Sequence, residues 1–158
     1  MVPVRIHSLG LDQTSSQPVI LLQEEEGLRV LPIWIGHPEA TAILIAMEGI
    51  EPPRPMTHDL LLGIMGAAGL VLERVEITRL EEGTFFAALQ LRGEERAFVI
   101  DARPSDSIAL AVRAGCPIFV AEEVMSASAV VPDEEAEEEV ERFRDFLDHV
   151  DPEDFAQS

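Results

Sequence analysis

The chain has 158 residues, with 30 acidic and 11 basic side chains and a single cysteine. Its 47% hydrophobic and 26% charged content is that of a globular domain with a real core, which excludes a wholly disordered chain. A net charge of −19 argues against binding nucleic acid by bulk attraction, and one cysteine cannot staple a fold. No apolar run reaches the roughly 18 residues of a membrane span, and no basic-then-apolar leader opens the sequence, so the cytoplasm is the expected compartment.

In chain order, Val2, Val4 and Ile6 alternate with Pro3, Arg5 and His7, the period of a half-buried strand. A polar turn over Asp12 to Gln17 leads to a second strand from Pro18 to Leu22, and Glu24 to Gly27 connects it to a third over Leu28 to Ile35. The period then changes. Pro38 suits a helix's first turn, Ala40, Ile43, Leu44 and Met47 follow at helical spacing, and Gly49 closes the element. After the stiff segment Glu51 to Pro55, Thr57 reads as the N-cap of a second helix with an apolar face of Leu60, Leu61, Ile64, Met65 and Ala68, stopped by Gly69.

Strands are expected over Val71 to Leu80, Thr84 to Leu91 and Ala97 to Asp101, joined through Gly83 and Gly93. A third helix runs from Ser105 through Ile108 and Val112 to Gly115, followed by a short strand from Pro117 to Val120 and a weak helical turn over Glu122 to Ala129. Elements grouped in this way give an α+β fold, with a largely antiparallel or mixed sheet and three main helices, 38–48, 58–68 and 106–114, packed on it. The expected buried set is Ile43, Leu44, Met47, Leu61, Ile64, Met65, Ile108 and Val112. Residues 1–128 form the domain; 129–158 are an acidic tether and a C-terminal amphipathic helix, with Val140, Phe143, Phe146, Leu147 and Val150 as its stripe. That helix docks on its own domain or on a protein partner.

Two segments share one pattern: Arg54-Pro55-Met56-Thr57-His58-Asp59 and Arg103-Pro104-Ser105-Asp106. Proline, hydroxyl and acid are helix-start grammar. The arginine is not required by it. Beside free helix amides it makes an anion site, or else it pairs with carboxylates, crosswise as Arg54 with Asp106 and Arg103 with Asp59. His58 reads as an acid–base or metal-binding group, or as a buried histidine bonded to a backbone carbonyl. Glu39, Asp59, Asp101 and Asp106 are the carboxylates that could hold magnesium. There is no P-loop, G-x-G-x-x-G, G-x-S-x-G or H-E-x-x-H, and Cys116 between Gly115 and Pro117 reads as a core residue.

Three stretches in order, Leu31-Pro-Ile-Trp-Ile-Gly36 running into Glu39-Ala40, Arg54-Pro-Met-Thr-His-Asp-Leu60, and Asp101-Ala-Arg-Pro-Ser-Asp-Ser107, resemble the bifunctional nuclease domain family of bacteria and plants. The resemblance covers roughly residues 1–128. It implies a compact α+β domain that self-associates, here expected as a homodimer, and hydrolysis of phosphodiester bonds in both DNA and RNA. The site residues it leaves as candidates are Asp101, Asp106, His58 and Asp59 for catalysis, Arg54 and Arg103 for substrate, and Glu39, Asp59, Asp101 and Asp106 for magnesium or manganese. The alternative is a non-catalytic regulatory module that binds a small anionic ligand or a protein. Carboxylates free to bridge a metal would favour the first reading, and carboxylates consumed by arginines the second.

Overall fold

Period-2 alternation, interrupted by two blocks of helical spacing, becomes eleven elements in the computed structural model, which describes residues 1–132 together with Arg142 and Asp145. They are β1 (Val2–Leu11), β2 (Pro18–Glu24), β3 (Val30–Trp34), α1 (His37–Met47), α2 (Thr57–Ala67), β4 (Val71–Glu81), β5 (Thr84–Arg92), β6 (Ala97–Ala102), α3 (Pro104–Ala114), β7 (Ile118–Val120) and α4 (Glu122–Ser128). The strands make one seven-stranded sheet in the order β3-β2-β1-β7-β4-β5-β6. Every pairing is antiparallel except β4 with β7. The fold is α+β with a mixed, mostly antiparallel sheet, as the grouping of elements predicts.

Register assigns each residue to a face. Val4, Ile118, Val75, Leu89 and Ile100 lie side by side on one face; Pro3, Phe119, Glu76, Ala88 and Asp101 lie on the other. The first face carries the core, completed by Ile43 of α1, Ile108 and Leu110 of α3, and Val124 and Met125 of α4. On the outer face the buried Glu76 carboxylate accepts hydrogen bonds from Arg74 Nε at 2.7 Å and Gln90 Nε2 at 3.2 Å, which offsets the cost of desolvating it.

The three helix stops expected at Gly49, Gly69 and Gly115 all have positive φ, and Gly115 is the left-handed C-cap of α3 at φ 69°. One expectation is overturned. Met47, Leu61 and Ile64 are 40%, 39% and 57% exposed, and Leu60 is 55% exposed. The apolar stripe of α2 is real, but it faces outward. The inward side is the buried His58 with Leu62 and Met65, both partly buried against the core, at i, i+4 and i+7. Periodicity alone could not say which of two apolar sides a helix turns inward. Of the tail helix expected over 134–155, Arg142 and Asp145 are described, both helical and exposed; its apolar stripe lies outside the described residues.

Candidate functional site

Three helices begin around one cavity of about 300 Å³. It is lined by Pro38, Glu39 and Ala42 from the start of α1, Met56, Thr57 and His58 from the start of α2, and Arg103 and Asp106 from the start of α3. Proline at the first turn fixes the entry of α1 and α3. Gly36 leaves room for the Glu39 carboxylate, which a Cβ at that position would meet. Neither expected hydroxyl cap forms: the N-caps of α2 and α3 are Met56 and Arg103. At α2 the Asp59 carboxylate does the work instead, its Oδ2 accepting the Met56 N–H at 3.0 Å.

The polar wall is a single chain of contacts. His58 Nε2 lies 2.9 Å from Asp106 Oδ1, and Arg103 Nε donates to Asp106 Oδ2 at 2.9 Å. The Nη1 of Arg103 reaches Glu39 Oε1 at 2.9 Å. An ionised carboxylate only accepts, so the Nε2 of His58 is the donor in this bond, and a neutral ring has on Nδ1 the lone pair that a general base requires. Burial alone would raise the Asp106 carboxyl, but hydrogen bonds from Arg103 and His58 outweigh it and hold the group below the ordinary carboxylate value. The Arg103 guanidinium is in turn held charged by Asp106 and Glu39.

Behind this wall, Arg113 of α3 donates from Nε to Asp59 Oδ1 at 3.0 Å and from Nη1 to the Ala109 carbonyl at 2.9 Å. The Met56 N–H, and then Arg113, lower the Asp59 carboxyl. Arg113 thus ties α3 to the start of α2, which carries His58. Its sequence signal is one arginine in the last turn of α3, directly after the apolar run Ile108 to Val112, where a charge needs a buried partner.

Of the expected site residues, the structure brings together Glu39, His58, Arg103 and Asp106, with Asp59 one bond behind. The crosswise pairing is corrected: Arg103 pairs with Asp106 of its own segment, and Asp59 with Arg113. His58 is bonded to a carboxylate and not to a backbone carbonyl. Arg54 is exposed, lines no part of this cavity, and joins none of the ion pairs among the described residues. Asp101 is exposed on the edge strand β6 and points to the outer face of the sheet, away from the cavity. Among the described residues no three His, Cys, Asp or Glu side chains gather as a metal-binding group. The carboxylates expected to hold magnesium or manganese are therefore not one donor set: Asp101 stands apart, and Glu39, Asp59 and Asp106 each spend oxygens on arginine.

The bifunctional nuclease domain family model matches residues 20–133. A relative described as an uncharacterized protein of Mycobacterium tuberculosis is 47% identical over 164 aligned residues, 98% of each chain. Bifunctional nuclease 1 of Oryza sativa subsp. indica is 27% identical over 112 residues, 69% of this chain and 34% of the relative. Bifunctional nuclease 2 of Arabidopsis thaliana is 30% identical over 115 residues, 70% of this chain and 35% of the relative. The chain therefore spans about a third of the plant relatives' length.

Proposed function

From the chain's membership of the bifunctional nuclease domain family, shown by the match over residues 20–133, we propose that it hydrolyses phosphodiester bonds of DNA and RNA in the cavity at the three helix N-termini. The observation that carries this reading is the buried His58 held by Asp106 at 2.9 Å beside the half-exposed Arg103. Helix starts and a guanidinium favour a phosphate at that point. The Nδ1 of His58 accepts the proton of a water attacking phosphorus, Asp106 orients the ring and steadies the imidazolium, and the proton returns to the ester oxygen that leaves. Water as the nucleophile makes the 2′-hydroxyl dispensable, which a reaction on both DNA and RNA demands.

No step here is routed through a divalent ion: among the described residues no three of the candidate carboxylates gather at one point, and Glu39 and Asp106, which share the cavity, are both bonded to Arg103. Magnesium or manganese dependence is a separate part of the test. Highly purified full chain is assayed on single-stranded DNA and RNA, with and without chelator, beside His58→Ala, Arg103→Ala and Asp101→Asn. His58→Ala should lose activity about 10²- to 10³-fold, and Asp101→Asn should retain it. Full activity in His58→Ala overturns the acid–base role; loss in Asp101→Asn together with loss to chelator moves the chemistry to a metal and to the outer face.

The second reading, anionic ligand binding without turnover, is favoured by the arginines that consume Glu39, Asp59 and Asp106. It predicts no hydrolysis by purified protein, with phosphate or oligonucleotide binding that Arg103→Ala removes.

A further inference from the structure

The cavity is larger and less polar than a phosphate site alone requires. Its volume of about 300 Å³ is that of roughly ten waters at about 30 Å³ each. Glu39, His58, Arg103 and Asp106 form its bonded polar wall. Pro38, Ala42 and Met56 also line it, and none of them has a side-chain donor to offer a phosphate. Pro38 and Ala42 stand four apart on α1, so they share one stripe of that helix. Met56 is the informative member. It is the N-cap of α2, a position that Ser, Thr, Asp and Asn hold best, and its thioether is only a weak acceptor for the first amides. At 42% exposure it takes no part in the core either. Helix capping and core packing both leave an apolar side chain at this position unexplained; the cavity it lines does not.

We propose that Pro38, Ala42 and Met56 seat the base of the nucleotide whose phosphate lies at Arg103, so that the site takes single-stranded nucleic acid and rejects the duplex. The inference rests on the proposed function for its phosphate and adds the group beside it. A nucleotide joins an anion to a flat ring with an apolar face, which is the pairing of surfaces this cavity presents. Thioether sulfur makes favourable contacts with such rings, and the proline ring and the Ala42 methyl pack against them. A base in a duplex is stacked on both faces and must be unpaired and turned out of the helix before it can enter a pocket. In a single strand it is already free to turn. His58 sets the same requirement. Its side chain is only 9% exposed, so a phosphate must enter the cavity to reach it, and a duplex carries its phosphates on a stiff rod that cannot follow.

The test reads binding and needs no turnover. Isotope-labelled full chain is titrated at moderate salt with inorganic phosphate, ribose 5-phosphate and adenosine 5′-monophosphate, and affinity is taken from amide chemical shifts. The adenosine compound should bind about tenfold or more tighter than ribose 5-phosphate, with shifts at 38–42, 56–58 and 103–106. Met56→Ser improves the cap, so it should keep or raise the thermal midpoint while removing most of that preference; loss of the preference in a variant of undiminished stability rules out misfolding as the cause. A single-stranded oligonucleotide should displace adenosine 5′-monophosphate about 10²-fold better than its own duplex. Ribose 5-phosphate bound as tightly as the adenosine compound, a preference that survives Met56→Ser, or a duplex that competes as well as the single strand each overturns the base seat and leaves the phosphate site standing. Failure of all three compounds to bind, or binding that Arg103→Ala does not weaken, overturns the phosphate site and the seat with it. Binding as expected without hydrolysis of the single strand supports the seat and overturns only the turnover.

Discussion

Asp106 divides its two carboxylate oxygens between His58 and Arg103, and this division has a signed consequence for acid stability. Its folded value is lowered, as is that of Asp59, relative to about 4 in an unfolded chain. A lowered carboxylate contributes stability above the unfolded value and loses it as pH falls through the folded one. Replacing Asp106 by Asn should therefore cost about 1–2 kcal/mol near neutrality, the worth of hydrogen bonds to a partly exposed charge. The gap to the native chain should close in acid, below the ordinary carboxylate range, in denaturant titrations run across that window. A gap that stays constant into strong acid would mean that Asp106 is not ionised in the fold. At this scale the two Arg-Pro segments are legible because helix starts have local grammar. The Asp59–Arg113 pair is not, since 54 residues separate its partners and only the packing of α2 on α3 joins them.

Elements were legible where one rule governs them. Gly115 ends α3 because a left-handed C-cap tolerates no Cβ without strain, and its φ of 69° with no neighbour within 4 Å isolates that backbone effect from any clash. Gly115→Ala should destabilise the fold by about 1 kcal/mol, read as a lowered midpoint in thermal unfolding, whereas an unchanged midpoint would mean that the turn before β7 relaxes freely. The orientation of α2 was not legible. Leu60, Leu61 and Ile64 make the stronger stripe on paper, yet His58, Leu62 and Met65 turn inward, because the His58–Asp106 and Asp59–Arg113 bonds fix the helix's rotation about its axis. Polar contacts decided what hydrophobic spacing left degenerate. The hairpins β1–β2 and β4–β5–β6 follow from short connections, but the insertion of β7 between β1 and β4, parallel to β4, is a long-range pairing without a local signal.

On the scale of the whole molecule, charge and proposed substrate oppose each other, and the arrangement of arginines sharpens the opposition. On the outer sheet face Arg74 pairs with Glu76, Arg79 with Glu81, and Arg92 with Glu73, so that face offers no net positive track. Arg103 at the cavity faces Glu39 and Asp106. Residues 131–158 add 12 acids against two arginines. A polyanion approaching such a surface is repelled at long range, and on the proposed function only short-range contacts inside the cavity hold it. Screening acts on the first far more than on the second, with a Debye length of about 30 Å at 0.01 M salt and about 8 Å at 0.15 M. The second-order rate constant for oligonucleotide cleavage should therefore rise between those ionic strengths, opposite to the steep fall of proteins that bind by releasing counterions. Deleting residues 131–158 should flatten the rise by removing about half of the net charge. A rate that falls with salt in the full chain would show that substrate meets a positive surface that the pairing of these arginines does not leave open.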